Sequence, residues 1–131
     1  MIRILVVEDD PQQLKRMSEI LKKAFPNYEN YAVSSLSEAK TKINELQAVS
    51  LVVADYLLAD GTGYDLLQYC RDNLTNVPVI IITGYGNDEK KTVRAALSFQ
   101  KGAFDFMNKP IDFDELVERI RHALRIAEEL A

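Results

Sequence analysis

Three consecutive carboxylates, Glu8, Asp9 and Asp10, follow the first apolar run of the chain in the stretch ILVVEDDP. Like charges placed so close repel one another, and a compact cluster of them is costly unless a cation joins it. The end of this first run is therefore a candidate cation-binding site.

Later apolar runs also end in polar residues that can do chemistry. Asp55 ends the run in VVADY, Thr83 ends the run in IIITG, and Lys109 follows the run in AFDFMNKP. In an open parallel sheet, the carboxyl ends of the strands meet at one edge, where functional groups gather. We therefore expect these residues to converge with Glu8 and Asp9, bringing together three carboxylates, a hydroxyl and an ammonium.

This set of side chains suits a hard divalent cation and a phosphoryl group. Oxygen ligands with no His or Cys nearby favour Mg²⁺, with Mn²⁺ as a second choice, over zinc. Magnesium usually binds few protein oxygens and completes its coordination shell with water and phosphate. A carboxylate can accept a phosphoryl group as an acyl phosphate while a metal ion, a lysine and a hydroxyl neutralise the transferring group.

The elements that must position these residues follow a repeating pattern. Apolar runs rich in β-branched residues alternate with segments of helical period. Strands are predicted at 2–7, 31–33, 51–54, 79–83 and 103–107, with helices at 11–26, from 35 or 37, after 63, at 88–101 and from 113 onward. The first, third and fourth strands lack polar alternation, as strands do when helices cover both faces of a parallel sheet. The pattern predicts a doubly wound α/β fold with five βα repeats.

Capping residues mark where several helices begin. Asp10 precedes Pro11, which suits the first position of a helix, so Asp10 is interpreted as an N-cap and not as a metal ligand. Ser35 or Ser37 caps the second helix, and Asp112 caps the last one. These caps place the first helix directly after the acidic cluster.

Size and composition limit the class of protein. A chain of 131 residues is long enough for one compact domain with its own core. Cys70 is the only cysteine, so no intramolecular disulfide can form, and no leader or membrane-length apolar run is evident, which predicts a cytoplasmic location without membrane attachment. A net charge of -4 argues against direct nucleic acid binding by this chain.

The spacing of these residues resembles a known family. The stretch VVEDD, Asp55 with Gly63 eight residues later, Thr83 at the end of an apolar strand, and Lys109-Pro110 after GAFDFMN closely resemble the receiver domain of two-component response regulators. Relatives in that family include the chemotaxis protein CheY and receivers of the NtrC type. The resemblance covers essentially the whole chain, so residues 1–131 are interpreted as a single receiver domain. It implies a CheY-like five-stranded parallel sheet with strand order 2-1-3-4-5.

The resemblance also implies a metal site and a phosphoacceptor. Asp55 would accept the phosphoryl group and bind Mg²⁺. Asp9 would bind the ion directly, Glu8 would act largely through metal-bound water, and the main-chain carbonyl of Leu57 would be a further ligand.

Three positions are implied to respond to phosphorylation. Thr83 would hydrogen-bond a phosphoryl oxygen, and Lys109 would pair with the phosphoryl group. Thr83 and the aromatic Phe106 would form a switch, in which Phe106 turns inward as Thr83 moves. The bond between Lys109 and Pro110 would be a cis peptide.

The family relationship implies partners but no separate substrate. A sensor histidine kinase or a histidine phosphotransfer protein would supply the phosphoryl group, and an output domain or protein would receive the signal. The surface of the fourth helix, fifth strand and fifth helix would change on phosphorylation and could form a homodimer. The chain would catalyse only its own phosphorylation and dephosphorylation, so it is not predicted to be an enzyme in the usual sense.

Three alternative functions fit the sequence less well. A degenerate receiver that binds proteins without phosphorylation is disfavoured because every chemical position is filled. An Asp-nucleophile phosphohydrolase of the haloacid dehalogenase type should carry a DxD motif after its first strand, which VVEDDP does not provide. A dinucleotide-binding domain would need a glycine-rich turn at that point.

The chain departs from the family pattern in two places. Ala59 stands four residues after Asp55, where relatives usually have proline, so the loop there is expected to be looser. The interval from Thr83 to Gly102 is about four residues, roughly one helical turn, longer than in relatives. We expect this longer interval to alter the signalling surface.

Overall fold

The computed structural model describes residues 1–84 and 102–130. Its strands are β1 (Arg3–Val7), β2 (Glu29–Val33), β3 (Leu51–Asp55), β4 (Leu57–Leu58), β5 (Gly61–Thr62), β6 (Val79–Thr83) and β7 (Asp105–Asn108). Its helices are α1 (Pro11–Ala24), α2 (Leu36–Leu46), α3 (Gly63–Asn73) and α4 (Phe113–Leu130). The fourth helix predicted from the sequence, at 88–101, lies outside the described residues.

Five strands form one parallel sheet in the order β2-β1-β3-β6-β7. This order confirms the predicted 2-1-3-4-5 topology, because β6 and β7 are the fourth and fifth strands of that sheet. β4 and β5 form a separate antiparallel hairpin, in which Leu57 pairs with Thr62. The hairpin was not predicted, and it joins β3 to α3.

Helices cover both faces of the sheet, so the core has two layers. On one face, Met17 and Leu21 of α1 and Leu116 and Ile120 of α4 pack against alternate residues of the strands. On the other face, α2 and α3 pack against the remaining strand residues, with Cys70 fully buried. Every residue of β3 and β6 is buried, which explains why these strands show no polar alternation in the sequence.

The caps set the starts of the helices as predicted. The Asp10 carboxylate accepts hydrogen bonds from the main-chain N–H groups of Gln12 and Gln13, and Pro11 is the first residue of α1. Ser35, rather than Ser37, caps α2. Asp112 accepts from the N–H of Glu115 before the first turn of α4.

Several boundaries differ from the sequence prediction by about two residues, as is usual for element ends. α1 ends at Ala24 instead of residue 26, and β2 begins at Glu29 instead of residue 31. β7 begins at Asp105 instead of residue 103, after Gly102 in the left-handed region with φ of 97°. Within residues 1–84 and 102–130, no helix is both long and apolar enough to span a membrane.

Candidate functional site

The candidate site lies at the carboxyl edge of the five-stranded sheet. Asp55 and Thr83 are the last residues of β3 and β6, and Glu8 and Lys109 directly follow β1 and β7. The main-chain N–H of Glu8 donates to the carbonyl of Val33 at 3.1 Å, so the hydrogen bonds between β1 and β2 continue as far as Glu8. The parallel register therefore brings together residues from four different strands.

Three carboxylates form a compact cluster there. One carboxylate oxygen from each of Glu8, Asp9 and Asp55 lies within 4.8 Å of the other two. Glu8 and Asp55 are buried, whereas Asp9 is exposed. Among the three acids, Asp9 is therefore the one that solvent reaches.

Lys109 is the cation that faces this cluster. Its Nζ donates to Oε1 of Glu8 at 3.0 Å and to Oδ2 of Asp55 at 3.1 Å. Burial of the ammonium lowers its pKa, but the hydrogen bonds to Glu8 and the attraction of Asp55 outweigh burial, and the pKa of Lys109 is raised. The lysine therefore stays charged at neutral pH.

One lysine does not satisfy the two buried carboxylates. Oε2 of Glu8 and Oδ1 of Asp55 are buried and accept no hydrogen bond from residues 1–84 or 102–130. Burial, reinforced by the neighbouring Asp55 and opposed by Lys109, raises the pKa of Glu8 to about 7. Such orphaned acceptors are costly, and they mark a place where a further positive group fits.

A divalent cation fits this donor set. Three carboxylates and one ammonium leave two negative charges, and every available ligand atom is an oxygen. Hard cations such as Mg²⁺ prefer oxygen ligands. The unpaired oxygens of Glu8 and Asp55, together with the exposed Asp9, are therefore suited to hold Mg²⁺ directly or through water.

Four further residues were predicted for this site. Thr83 is fully buried, and its main-chain carbonyl accepts from the N–H of Lys109 at 2.8 Å. The bond between Lys109 and Pro110 is cis. Phe106 is half-buried and packs against the core layer that contains α2 and α3. Leu57 is 54% exposed and lies in β4, two residues after the end of β3.

Sequence reasoning missed the role of Asp60, which lies at the turn of the β4–β5 hairpin. Its Oδ1 accepts from the N–H of Leu36 at 2.8 Å, and its Oδ2 accepts from the N–H of Ser37 at 2.9 Å. The pair Asp60-Gly61 is a recognisable turn signal. Nothing in a turn signal, however, says which distant helix the aspartate will reach.

The sequence matches a family and its individual members. Residues 4–121 match the family model for the response regulator receiver domain. The chain is 31% identical over 124 residues to the response regulator protein PilR of Pseudomonas aeruginosa, covering 95% of this chain and 26% of that protein. The chain spans half or less of the length of the first curated relatives it matches.

Solved structures show the same fold. A response regulator receiver domain protein from Clostridium thermocellum superimposes with a TM-score of 0.88 at 25% identity, over 100% of both chains. The solution structure of the beryllofluoride-activated NtrC4 receiver domain dimer gives a TM-score of 0.83 at 31% identity, over 97% of this chain and 99% of that one. With sequence and fold in agreement over nearly its whole length, this chain belongs to the response regulator receiver domain family of two-component systems.

Proposed function

We propose that this chain is a phosphorylation-activated switch whose acceptor is Asp55. The observation that carries the proposal is the state of the Asp55 carboxylate. It is buried, one oxygen is held by Lys109, and the other oxygen has no hydrogen-bond partner in the described part of the chain. A carboxylate with one anchored and one unpaired oxygen beside a cation site is arranged to act as a nucleophile.

Magnesium would be held by the acidic cluster. Asp9 and Asp55 would bind the ion directly, Glu8 would act through metal-bound water, and the Leu57 carbonyl would add a main-chain oxygen. When bound, the ion supplies positive charge that offsets the negative oxygens of an incoming phosphoryl group. The two negative charges left over in the cluster support this assignment.

The side chains themselves perform the transfer. An oxygen of Asp55 forms a bond to phosphorus as the bond from phosphorus to the donor histidine nitrogen breaks, and the released imidazole takes up a proton from solvent. Lys109 pairs with an oxygen of the transferred group, and the Thr83 hydroxyl donates to another. The donor would be a histidine kinase or a histidine phosphotransfer protein, and the chain would catalyse only its own modification.

The response would pass through Thr83 and Phe106. Movement of Thr83 toward the phosphoryl group vacates space, and Phe106, already half-buried, turns further inward. The changed surface would include the predicted fourth helix, which lies outside the described residues, together with β7 and α4, and would face an output domain, an output protein or a second copy of the chain. The activated NtrC4 receiver is described as a dimer, which supports the last option.

Phosphorylation by a small donor tests this function. The chain is incubated with acetyl phosphate and Mg²⁺, and the intact mass is measured. We expect the mass of one added phosphoryl group, its loss when Mg²⁺ is chelated, and no addition to Asp55→Asn.

A matched control separates the acceptor from other acids. Asp72 lies exposed on α3, so Asp72→Asn should be phosphorylated like the unaltered chain. Circular dichroism checks that Asp55→Asn is folded. Equal phosphorylation of folded Asp55→Asn would refute the assignment of the acceptor.

A further inference from the structure

The β4–β5 hairpin, residues 57–62, is anchored to the rest of the fold at both ends. Tyr56, which precedes it, donates its N–H to the carbonyl of Ile82 on β6 at 2.6 Å. Gly63, which follows it, donates to the carbonyl of Tyr56 at 2.8 Å. The hairpin therefore leaves and re-enters the fold within a short distance of the acceptor strand, and it contains the Leu57 carbonyl.

The Asp60 side chain anchors the tip of the hairpin to α2. Both Asp60 oxygens accept main-chain hydrogen bonds from the first two residues of α2, at 2.8 and 2.9 Å. The first N–H groups of a helix have no partner within the helix, and the positive end of the helix dipole favours a carboxylate there. These hydrogen bonds lower the pKa of Asp60 below its usual value, so it is charged at neutral pH.

Close packing shows that the hairpin lies directly on the start of α2. A Cβ atom added at Gly61 would come within 2.5 Å of the Cδ2 atom of Leu36. Leu58 on the opposite side of the turn is buried in the same core layer as Leu36. The hairpin and the start of α2 are thus joined both by apolar packing at Gly61 and Leu36 and by the hydrogen bonds of Asp60.

α2 does not depend on Asp60 for its own cap. Ser35 accepts from the N–H of Glu38 at 3.0 Å, and the Glu38 side chain accepts from the N–H of Ser34 at 3.0 Å. Local hydrogen bonds of this kind are sufficient to cap the N-terminus of a helix. What Asp60 adds is a link between α2 and the hairpin, across 24 residues of sequence.

We infer that Asp60 is a positioning residue, which holds the hairpin against α2 and so keeps the Leu57 carbonyl in place for the metal. This inference rests on the proposed function, which makes that carbonyl a metal ligand.

Three variants test the inference in the full chain. Asp60→Ala removes both hydrogen bonds, Asp60→Asn keeps one acceptor oxygen, and Ser35→Ala weakens the cap of the same helix without touching the hairpin. For each, we measure thermal stability, Mg²⁺ binding from amide chemical shifts, and the rate of phosphorylation by acetyl phosphate as a function of Mg²⁺ concentration.

We expect Asp60→Ala to raise the half-saturating Mg²⁺ concentration on the order of tenfold, as for other residues that orient metal ligands. At saturating Mg²⁺ its phosphorylation rate should approach that of the unaltered chain, because the acceptor is untouched. The half-saturating Mg²⁺ concentration of Asp60→Asn should lie between those of Asp60→Ala and the unaltered chain. Ser35→Ala should lower the melting temperature and leave the half-saturating concentration unchanged.

Two outcomes would overturn the inference. One is an unchanged half-saturating Mg²⁺ concentration in Asp60→Ala, whatever its melting temperature. The other is an equal rise in Ser35→Ala, which would show that general loosening of α2 is the cause. Failure of the unaltered chain to bind Mg²⁺ would instead overturn the proposed function, and this result is distinguishable because it appears before any substitution.

Discussion

The two ends of the parallel sheet differ in how far their charged side chains are buried. At the amino end, Arg3 pairs with Glu29 at 2.6 Å, with side chains 29% and 37% exposed. At the carboxyl end, the Lys109 side chain is 19% exposed and meets carboxylates that are only 2% and 8% exposed. All of the buried polar side chains among the described residues, Glu8, Asp55 and Thr83, are at this carboxyl end.

The difference lies in whether the charges are balanced. Glu29 also accepts from the Tyr31 hydroxyl, so the pair at the amino end is complete within the fold and open to water. Among the described residues, the carboxyl end has more acids than cations, and two of its buried carboxylate oxygens lack partners. The amino end is therefore arranged for stability, and the carboxyl end retains a deficit that a ligand can relieve.

Removing the cation of the carboxyl end should have the largest effect on stability. Loss of one partner of a fully buried ion pair costs about 3–5 kcal/mol. Because Lys109 is partly exposed and Glu8 can take up a proton, we expect Lys109→Met to lose about 2 kcal/mol of unfolding free energy without Mg²⁺. Chemical denaturation at neutral pH measures this loss.

Lys42→Met is the matched control for that experiment. Lys42 forms an exposed pair with Glu45 at the surface of α2, so its loss should change stability by less than about 0.5 kcal/mol. Equal losses in the two variants would contradict the distinction between a buried site and a solvated pair. Added Mg²⁺ should stabilise both variants, because both keep the acidic cluster. It should narrow the difference between Lys109→Met and the unaltered chain and leave the small difference for Lys42→Met as it was.

Substitution of the exposed Asp9 should weaken Mg²⁺ binding without destabilising the fold. Asp9→Asn removes the charge of one carboxylate from the proposed metal site, and we expect Mg²⁺ affinity to fall at least on the order of tenfold. Stability without Mg²⁺ should change by less than about 0.5 kcal/mol, because Asp9 is exposed. Magnesium titration followed by amide chemical shifts, together with denaturation, measures both quantities.

The neighbouring acid gives a control of the same chemistry. Asp10→Asn keeps a good N-cap for α1 and lies outside the carboxylate cluster. It should change neither Mg²⁺ affinity nor stability. If Asp10→Asn weakens Mg²⁺ binding as much as Asp9→Asn does, the cluster is wrongly assigned.

The smallest effect is expected at the amino end and should depend on pH. Hydrogen bonds from Arg3 and Tyr31 lower the pKa of Glu29, so its stabilising contribution is present above the unfolded-state pKa and is lost as pH falls through the folded-state pKa. The melting temperature of Glu29→Gln should be slightly below that of the unaltered chain at pH 7, and the two should coincide in strong acid. A difference that persists in strong acid would point to packing instead of charge.

Much of the fold could be predicted from the sequence because its signals are local. The cap at Asp10, the burial of Met17 and Leu21, and the strands β3 and β6, which are apolar up to their last residue, all depend on residues close together in the chain. The β4–β5 hairpin could not be predicted, because strands of two residues are too short to show a period. The positions of the site residues followed from a rule of parallel sheets, that strand ends converge.

The sequence by itself determined which side chains follow the strands, how the helices begin, and that acids outnumber cations near the first strand. Only the tertiary structure decided that Glu8 is buried while Asp9 is exposed, that Lys109 reaches Glu8 across 101 residues, and that Asp60 binds α2. The physical reason is that burial and long-range hydrogen bonds depend on the relative placement of packed elements. Periodicity and capping depend on neighbours in the chain and are therefore visible before the chain folds.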